Sequence, residues 1–413
     1  MAKPSALQRW LTLFASFCIL AVAFSFGLFS LPAFYPVLIK QFGWSHAAAA
    51  AGGSIVLLLI GTFSPVVGWL VDRYSPRAVI MGGILTVAAA LALLSTAQSL
   101  PAYYAFCLLL GVGTSAVSIL PNSILIAPWF ARGRGSFVGL INAGIGMGGV
   151  APLLATSQFD RRGVGGTFLF LAVWMAIPFL LLLLAVPGNL TSAARESRDA
   201  GPAPGFPAIG PANLVRMPLF WIFGLSVFFA AHSMVAVQQN LVLYLRGQGV
   251  SPARAALALS VAVWSSAPGK ILSGAIADKF SARLGVVFSV SCIGLGITTL
   301  LGTPASSGGI FLFAFVFGLG YGGIFNATPT IVFEYFGARG VGAVMGMFLV
   351  FFGLGTSSGG LLAGYLFDRT HRYSVPFSLD LAVACAALLL LLVSARQTAP
   401  VQSRLRLDVA SAL

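Results

Sequence analysis

The stretch GWLVDRYSPR, from Gly68 to Arg77, decides how this chain folds, because it returns as GAIADKFSAR, from Gly274 to Arg283. The two copies lie half a chain length apart in a sequence of 413 residues. A glycine, an acid, a base and a final arginine recur at matched positions, and each copy stands between two long apolar runs. This spacing indicates a duplicated structural unit.

A second pair of landmarks supports the duplication. Gly43 and Ser45 of FGWSHAAAA correspond, at the same offset, to Gly249 and Ser251 of QGVSPARAA. A third match, of Phe130 and Arg132 in WFARGRG with Phe336 and Arg339 in YFGARGVG, drifts by a single residue.

The composition indicates an integral membrane protein. Hydrophobic residues make up 58% of the chain and charged residues 8%, which leaves too little polar surface to cover a soluble globule. The net charge of +14 is scattered over the ends of apolar runs, which disfavours a nucleic-acid surface. The four cysteines lie inside apolar runs, at no spacing typical of a metal site or a disulfide, so we predict neither.

Twelve apolar runs are long enough to cross a hydrocarbon core, which takes about 20 helical residues. The first is too long for a signal peptide and has a counterpart in the second half, so we interpret it as a helix. The runs cover residues 11–37, 50–71, 78–98, 102–127, 136–158, 166–187, 218–245, 255–277, 284–302, 308–333, 341–366 and 375–395.

The distribution of lysine and arginine predicts the orientation. With the N-terminus in the cytoplasm, basic residues on the cytoplasmic side exceed those outside by roughly two to one, as the positive-inside rule expects. Both termini and both copies of the repeated motif are then cytoplasmic. We predict an N-terminal six-helix bundle over residues 1–187, a Gly/Pro/Ala-rich cytoplasmic linker over 188–217, and a C-terminal six-helix bundle with a short cytoplasmic tail over 218–413.

Six plus six spans, with Gly-x-x-x-Asp-Arg between the second and third spans of each half, resemble the major facilitator superfamily of secondary transporters. The tracts PVLIKQFGWS, VVGWLVDRYSPR and WFARGRGSFVG are similar to the branch that holds monocarboxylate transporters and oxalate:formate antiporters. The resemblance implies an all-α membrane protein with twelve transmembrane helices in two pseudo-symmetric bundles, the major facilitator fold. The chain departs from the family motif at Ser75 and Pro76, and at Ser281 and Ala282.

The repeated loop is a candidate gate for alternating access. An acid at the cytoplasmic end of a helix is repelled by the helix dipole unless nearby bases compensate it, and both copies supply such bases. A cluster of this kind can hold one side of a transporter shut and then release it. The alternative is a solvated loop placed only by the positive-inside rule. The predicted gating residues are Gly68, Asp72, Arg73, Arg77, Gly274, Asp278, Lys279 and Arg283.

Lys270, in WSSAPGKILSG, is the strongest candidate for contact with a substrate. A charge within a span costs on the order of 3 kcal/mol on insertion scales, and an anionic substrate would supply a counter-charge. The resemblance adds that the monocarboxylate branch carries an arginine that binds substrate carboxylate four residues before the motif glycine, which is the position of Lys270 relative to Gly274. Ser266 stands where some members carry an acid for proton coupling. The alternative is a lysine that snorkels to the interface.

The remaining candidates are polar residues in spans that line the cavity of this superfamily. His232 shares a helical face with Gln239. It could carry a proton or serve as a neutral hydrogen-bonding residue. Further predicted substrate-binding residues, by the same reasoning, are Tyr35, Asn122, Tyr321 and Asn326.

These features predict a secondary transporter of small organic anions, mono- or dicarboxylates, that works by alternating access. No catalytic arrangement or ATP-binding motif is present in the sequence, so we expect neither an enzyme nor a cofactor. The expected partners are the anion, a coupling proton or counter-anion, and the lipid bilayer of a bacterial inner membrane. Two alternatives are a drug or amphipathic-compound efflux transporter and a non-transporting membrane receptor.

Overall fold

The computed structural model describes residues 6–130, 134–186, 215–303, 308–336 and 341–410. For some helical residues, including 325–330, 332–336, 341–344 and 395–410, only the backbone is described. The predicted linker over 188–217 therefore lies almost wholly outside the described residues, as does the side chain of Asn326.

Every regular element in this part of the chain is a helix. A π-helical turn, Ser25–Phe29, follows the first helix, and short 3₁₀ turns follow the seventh and eighth. The α-helices are α1 Ala6–Phe24, α2 Leu31–Phe42, α3 His46–Thr62, α4 Ser64–Arg73, α5 Pro76–Leu94, α6 Leu100–Ala116, α7 Ile119–Ile126, α8 Arg134–Gly146, α9 Val150–Trp174, α10 Ala176–Ala185, α11 Pro218–Gly247, α12 Pro252–Trp264, α13 Ser266–Lys279, α14 Ala282–Gly302, α15 Gly309–Phe336, α16 Val341–Thr370 and α17 Ser374–Ala410.

Within the described chain, nine helical segments are long and apolar enough to span a membrane, and the bent pair α3–α4 makes ten. One of the nine, Phe137–Ala185, is 49 residues long and breaks at Gly163, whose φ of 65° and ψ of −176° are not helical. This segment therefore holds two of the predicted spans. Helix α15, of 28 residues, falls on the predicted tenth span. The helices thus fall on the twelve runs identified in the sequence, and the predicted all-α membrane fold is confirmed.

The duplicated landmarks have the same local geometry in both copies. Gly43 ends α2 with φ of 67° and Gly249 follows α11 with φ of 79°, a left-handed conformation that favours glycine. Two residues later, the hydroxyl of Ser45 accepts a hydrogen bond from the backbone N–H of Ala48 at 3.1 Å. The hydroxyl of Ser251 likewise accepts one from the N–H three residues ahead, at 3.4 Å. Both serines therefore cap the helix that follows.

The chain divides into two compact units. The first comprises Met1–Ala203 and Gln238–Trp264, and the second comprises Pro204–Val237 and Ser265–Leu413. Helix α11 thus contributes its residues up to 237 to the second unit and the rest to the first. The division into bundles at residues 187 and 218 stays a prediction.

In the first unit, α12 packs on α9 and α5 packs on α6. A side chain at Gly149 would lie 2.7 Å from both the carbonyl oxygen of Ser260 and the indole nitrogen of Trp264, so the absence of a side chain allows the close approach. The hydroxyl of Tyr103, fully buried, donates to the carbonyl of Ala49 at 2.9 Å and joins α6 to α3.

In the second unit, α15 packs closely against α13 and α14 through small residues. Gly269 of α13 lies against the backbone of Leu319, and Gly322 lies against the backbone of Ser266. A Cβ at Gly296 of α14 would lie 2.7 Å from the Cβ of Phe317. These contacts bring backbones together where lipid provides no hydrophobic force between helices. They fix the position of α13, which carries Lys270.

Candidate functional site

The two copies of the repeated loop have nearly the same backbone. Ser75 is extended, with φ of −170° and ψ of 154°, and Ser281 has φ of −168° and ψ of 153°. The Ser75 hydroxyl accepts a hydrogen bond from the N–H of Ala78 at 3.1 Å, and the Ser281 hydroxyl accepts one from the N–H of Leu284 at 3.3 Å. Both serines therefore cap the helix that follows.

The charged residues of the loop are also placed alike in the two copies. Asp72 and Arg73 are exposed at the end of α4, as are Asp278 and Lys279 at the end of α13. Arg77 and Arg283, in the first turn of the next helix, are half-buried, and so are Gly68 and Gly274 one turn before the acids. The gating role of these eight residues stays a prediction.

Arg77 has a further contact within the first unit. Its guanidinium donates a hydrogen bond to the carbonyl oxygen of Leu183 at 3.2 Å, near the C-terminus of α10. The last carbonyls of a helix have no partner within the helix, and a cation there is favourable. Beneath the loop, Val67, Val71 and Val79 form a buried apolar cluster. The first copy is therefore held by packing as well as by its charges.

Tyr35 and Gln239 are brought together in the first unit, although they are far apart in sequence. The hydroxyl of Tyr35 donates to Oε1 of Gln239 at 2.6 Å, and both side chains are fully buried. Gly53 of α3 lies against this pair, and a Cβ there would come 2.7 Å from the Gln239 oxygen. Nε2 of Gln239 has no hydrogen-bond partner in the described chain, so it is an available donor in this cluster.

Asn122 lies in the first turn of α7, just after the break that separates this helix from α6. Its Nδ2 donates to the carbonyl oxygens of Val117 at 2.9 Å and Ser118 at 3.0 Å. Its Oδ1 is buried and, among the described residues, has no hydrogen-bond partner. The amide therefore satisfies the carbonyls left open where the helix is interrupted, and the oxygen is available as an acceptor.

In the second unit, His232 contacts two other helices. Its Nδ1 lies 2.9 Å from the hydroxyl of Ser358 on α16, and its Nε2 lies 3.5 Å from Oδ1 of Asp380 on α17. The neighbouring Ser233 donates to the backbone carbonyl of Asp380 at 2.7 Å. His232 and Gln239 of α11 thus make their contacts in different units.

Asp380 is a polar residue that the sequence analysis missed. It is the seventh residue of α17 and only 2% exposed. The signal was present, because Asp380 is the single acid inside a predicted span, as His232 is the single histidine. Buried charged residues within a span are expected to face one another, and on that basis the two could have been paired.

Lys270 is half-buried on α13, nine residues before the helix ends, or about 14 Å along its axis. Its carbonyl oxygen accepts a hydrogen bond from the hydroxyl of Ser273 at 3.1 Å. Tyr321 is buried on α15, the helix against which α13 packs. Asn326 is on the same helix, with its side chain outside the described part.

The family model of the Major Facilitator Superfamily matches residues 15–283 and 240–410, which together span nearly the whole chain. The chain belongs to the Major Facilitator Superfamily. It is therefore a transporter and not an enzyme, and a multi-pass membrane protein with a small-molecule substrate.

Relatives within the Major Facilitator Superfamily include transporters of two kinds. The agnestins efflux protein AgnL12 of Paecilomyces divaricatus is 30% identical over 80% of this chain and 74% of its own. Monocarboxylate transporter 4 of Rattus norvegicus is 24% identical over 94% of this chain and 83% of its own. The oxalate:formate antiporter of Oxalobacter formigenes is 24% identical over 71% of this chain and 70% of its own.

These relatives confirm the resemblance to the monocarboxylate transporter and oxalate:formate antiporter branch. Among solved structures, the nucleoside transporter NupG superposes with a TM-score of 0.77, at 12% identity, over 94% of this chain and 99% of its own. At that identity the similarity shows the fold alone.

Proposed function

We propose that this chain is a secondary active transporter of small organic anions, mono- or dicarboxylates, and that it works by alternating access. The observation that carries the proposal is Lys270, a half-buried cation within a membrane-spanning segment. The gate would be formed by the two repeated loops, with the N-terminus and both loops on the cytoplasmic side of the cell membrane.

The position of Lys270 gives the physical argument. A cation inside a span costs on the order of 3 kcal/mol, so such a residue is retained where it has a use. Gly269 and Ser273, on either side of it, pack closely against α15, so the backbone that carries the lysine is fixed. Lysine presents a compact charge on a flexible stem, which suits carboxylates of several shapes.

The relatives support the same class of substrate. Monocarboxylate transporter 4 and the oxalate:formate antiporter are named for small carboxylates, and each matches more than two thirds of this chain. The carboxamide groups of Gln239 and Asn122 would add neutral hydrogen bonds to the substrate. Tyr35, Tyr321, Asn326 and His232 complete the set of proposed substrate-binding residues.

Efflux of amphipathic compounds is a second candidate, favoured by the similarity to the agnestins efflux protein AgnL12. The two functions differ in what they require of Lys270. A site for anions needs the positive charge, whereas a site for cationic or neutral amphipathic compounds is indifferent to it or opposed by it.

Transport by charge variants of Lys270 tests the proposal. In proteoliposomes, Lys270→Met should abolish uptake of labelled carboxylates, because it keeps the stem and removes the charge. Lys270→Arg should retain partial uptake. Ile271→Ala is the matched control, because the Ile271 side chain lies on the same helix and is 73% exposed. This variant should take up carboxylates as fast as the wild type does.

Undiminished carboxylate uptake by Lys270→Met would contradict the anion site. Transport of amphipathic cations by wild type, unchanged or increased in Lys270→Met, would establish the efflux function instead.

A further inference from the structure

His232, Ser358 and Asp380 form a buried polar cluster that joins α11, α16 and α17 within the second unit. His232 is 5% exposed and Asp380 is 2% exposed. The imidazole lies between the two other side chains, with Nδ1 towards Ser358 and Nε2 towards Asp380. His232 is the fifteenth of the 30 residues of α11, and Asp380 is the seventh residue of α17.

The carboxylate of Asp380 is only partly satisfied. Oδ1 lies 3.5 Å from the imidazole, and Oδ2 is buried with no hydrogen-bond partner in the described chain. A buried polar atom without a partner is costly, and more so when it carries charge. Binding of one proton cancels the negative charge and so lowers this cost.

The net charge of the His232–Asp380 pair depends on whether it holds one added proton. A neutral histidine beside an ionised aspartate carries one negative charge. One added proton makes the pair neutral, whether it resides on the carboxyl group or forms an imidazolium beside a carboxylate. The neutral pair is the form that an apolar interior favours. Taking up and releasing one proton therefore switches the cluster between two charge states.

Three side chains of the described residues contact His232, and one of them, Asp380, titrates. Helix α16 contributes Ser358, which donates or accepts without titrating, and α17 contributes Asp380. On α11 itself the ring of Phe228 stacks on the imidazole, with centroids 6.2 Å apart. Gly359 of α16 packs directly on the backbone of His232, which holds α16 close to α11.

We propose that His232 and Asp380 form the proton-binding site that couples transport in this chain to the proton gradient. The two side chains lie on α11 and α17, whereas Lys270 lies on α13. In this proposal Asp380 supplies the carboxylate that some relatives carry at the position of Ser266. The inference rests on the proposed function, because coupling needs a transported substrate.

The test measures proton movement during uptake. Proteoliposomes carry a pH-sensitive dye inside, and labelled oxalate and a panel of monocarboxylates are supplied outside with an inward proton gradient. Wild type should acidify the lumen as substrate enters. Asp380→Asn should lose gradient-driven accumulation and the acidification, yet should still exchange internal for external substrate. His232→Gln should likewise lose the accumulation and the acidification.

Ser233→Ala is the matched control. It removes the hydrogen bond to the Asp380 backbone and leaves both titratable side chains in place. It should keep the acidification. If folded Ser233→Ala loses proton movement as fully as Asp380→Asn, the cluster is a structural clamp and the proposal is overturned.

Two wild-type results separate this inference from the proposed function. Substrate uptake without acidification of the lumen overturns the proton site alone, whatever the variants do. No uptake of any acid overturns the proposed function and this inference with it.

Discussion

Replacing Tyr35 with phenylalanine removes one oxygen atom from a fully buried hydrogen bond. In the wild type, the Tyr35 hydroxyl donates to Oε1 of Gln239 at 2.6 Å, and Nε2 of the same amide already has no partner in the described chain. The variant would leave the whole carboxamide of Gln239 buried and unsatisfied, while the phenyl ring keeps the packing.

Leaving a buried polar group unsatisfied costs about 1–3 kcal/mol, so Tyr35→Phe should lower the free energy of unfolding by this amount. Replacing both partners with apolar groups removes the unsatisfied amide, so Tyr35→Phe combined with Gln239→Leu should cost less than the two single changes added together. Thermal unfolding of the purified protein in detergent measures both effects.

Tyr74→Phe is the control, because Tyr74 is 59% exposed and the change should leave the melting temperature as in wild type. The reasoning is refuted if Tyr35→Phe has the same melting temperature as the wild type. It is also refuted if the double variant loses the full sum of the single losses, since the two side chains would then act independently.

Two further predictions concern the repeated loop and the helix contacts. Ser75→Ala and Ser281→Ala should each destabilise the protein by about 1 kcal/mol, because each removes a helix cap. The two losses of stability should be similar, since the two caps have the same geometry, and a loss for only one variant would contradict the shared capping role. Gly322→Val should prevent stable folding, because the valine side chain would clash with the backbone of Ser266. The expression level and the melting temperature of the variant measure this effect. Gly346→Ala, exposed and with open space around its Cβ, should be neutral or slightly stabilising, and a large loss there would undermine the argument from close contact.

The sequence predicted the features that repeat or that follow from hydropathy. The helices fall on the twelve apolar runs, and the glycine and serine landmarks have matching geometry at Gly43, Ser45, Gly249 and Ser251. These features are local: a membrane span can be recognised from the length and hydropathy of one segment, and a helix cap involves only the capping residue and the next three residues.

Pairings between distant residues could not be predicted in the same way. Tyr35 and Gln239 form a hydrogen bond, but hydropathy gives no information on which helices pack together, so their pairing could not be inferred from the sequence. Such pairings depend on tertiary contacts, which hydropathy does not report.

Uptake of labelled carboxylates by the wild-type protein tests the central claim most directly. Purified protein in proteoliposomes, compared with empty liposomes, should take up oxalate or at least one member of a panel of small monocarboxylates, and excess unlabelled acid should compete. Uptake no faster than in empty liposomes for every acid, alongside transport of an amphipathic cation, would contradict organic-anion transport.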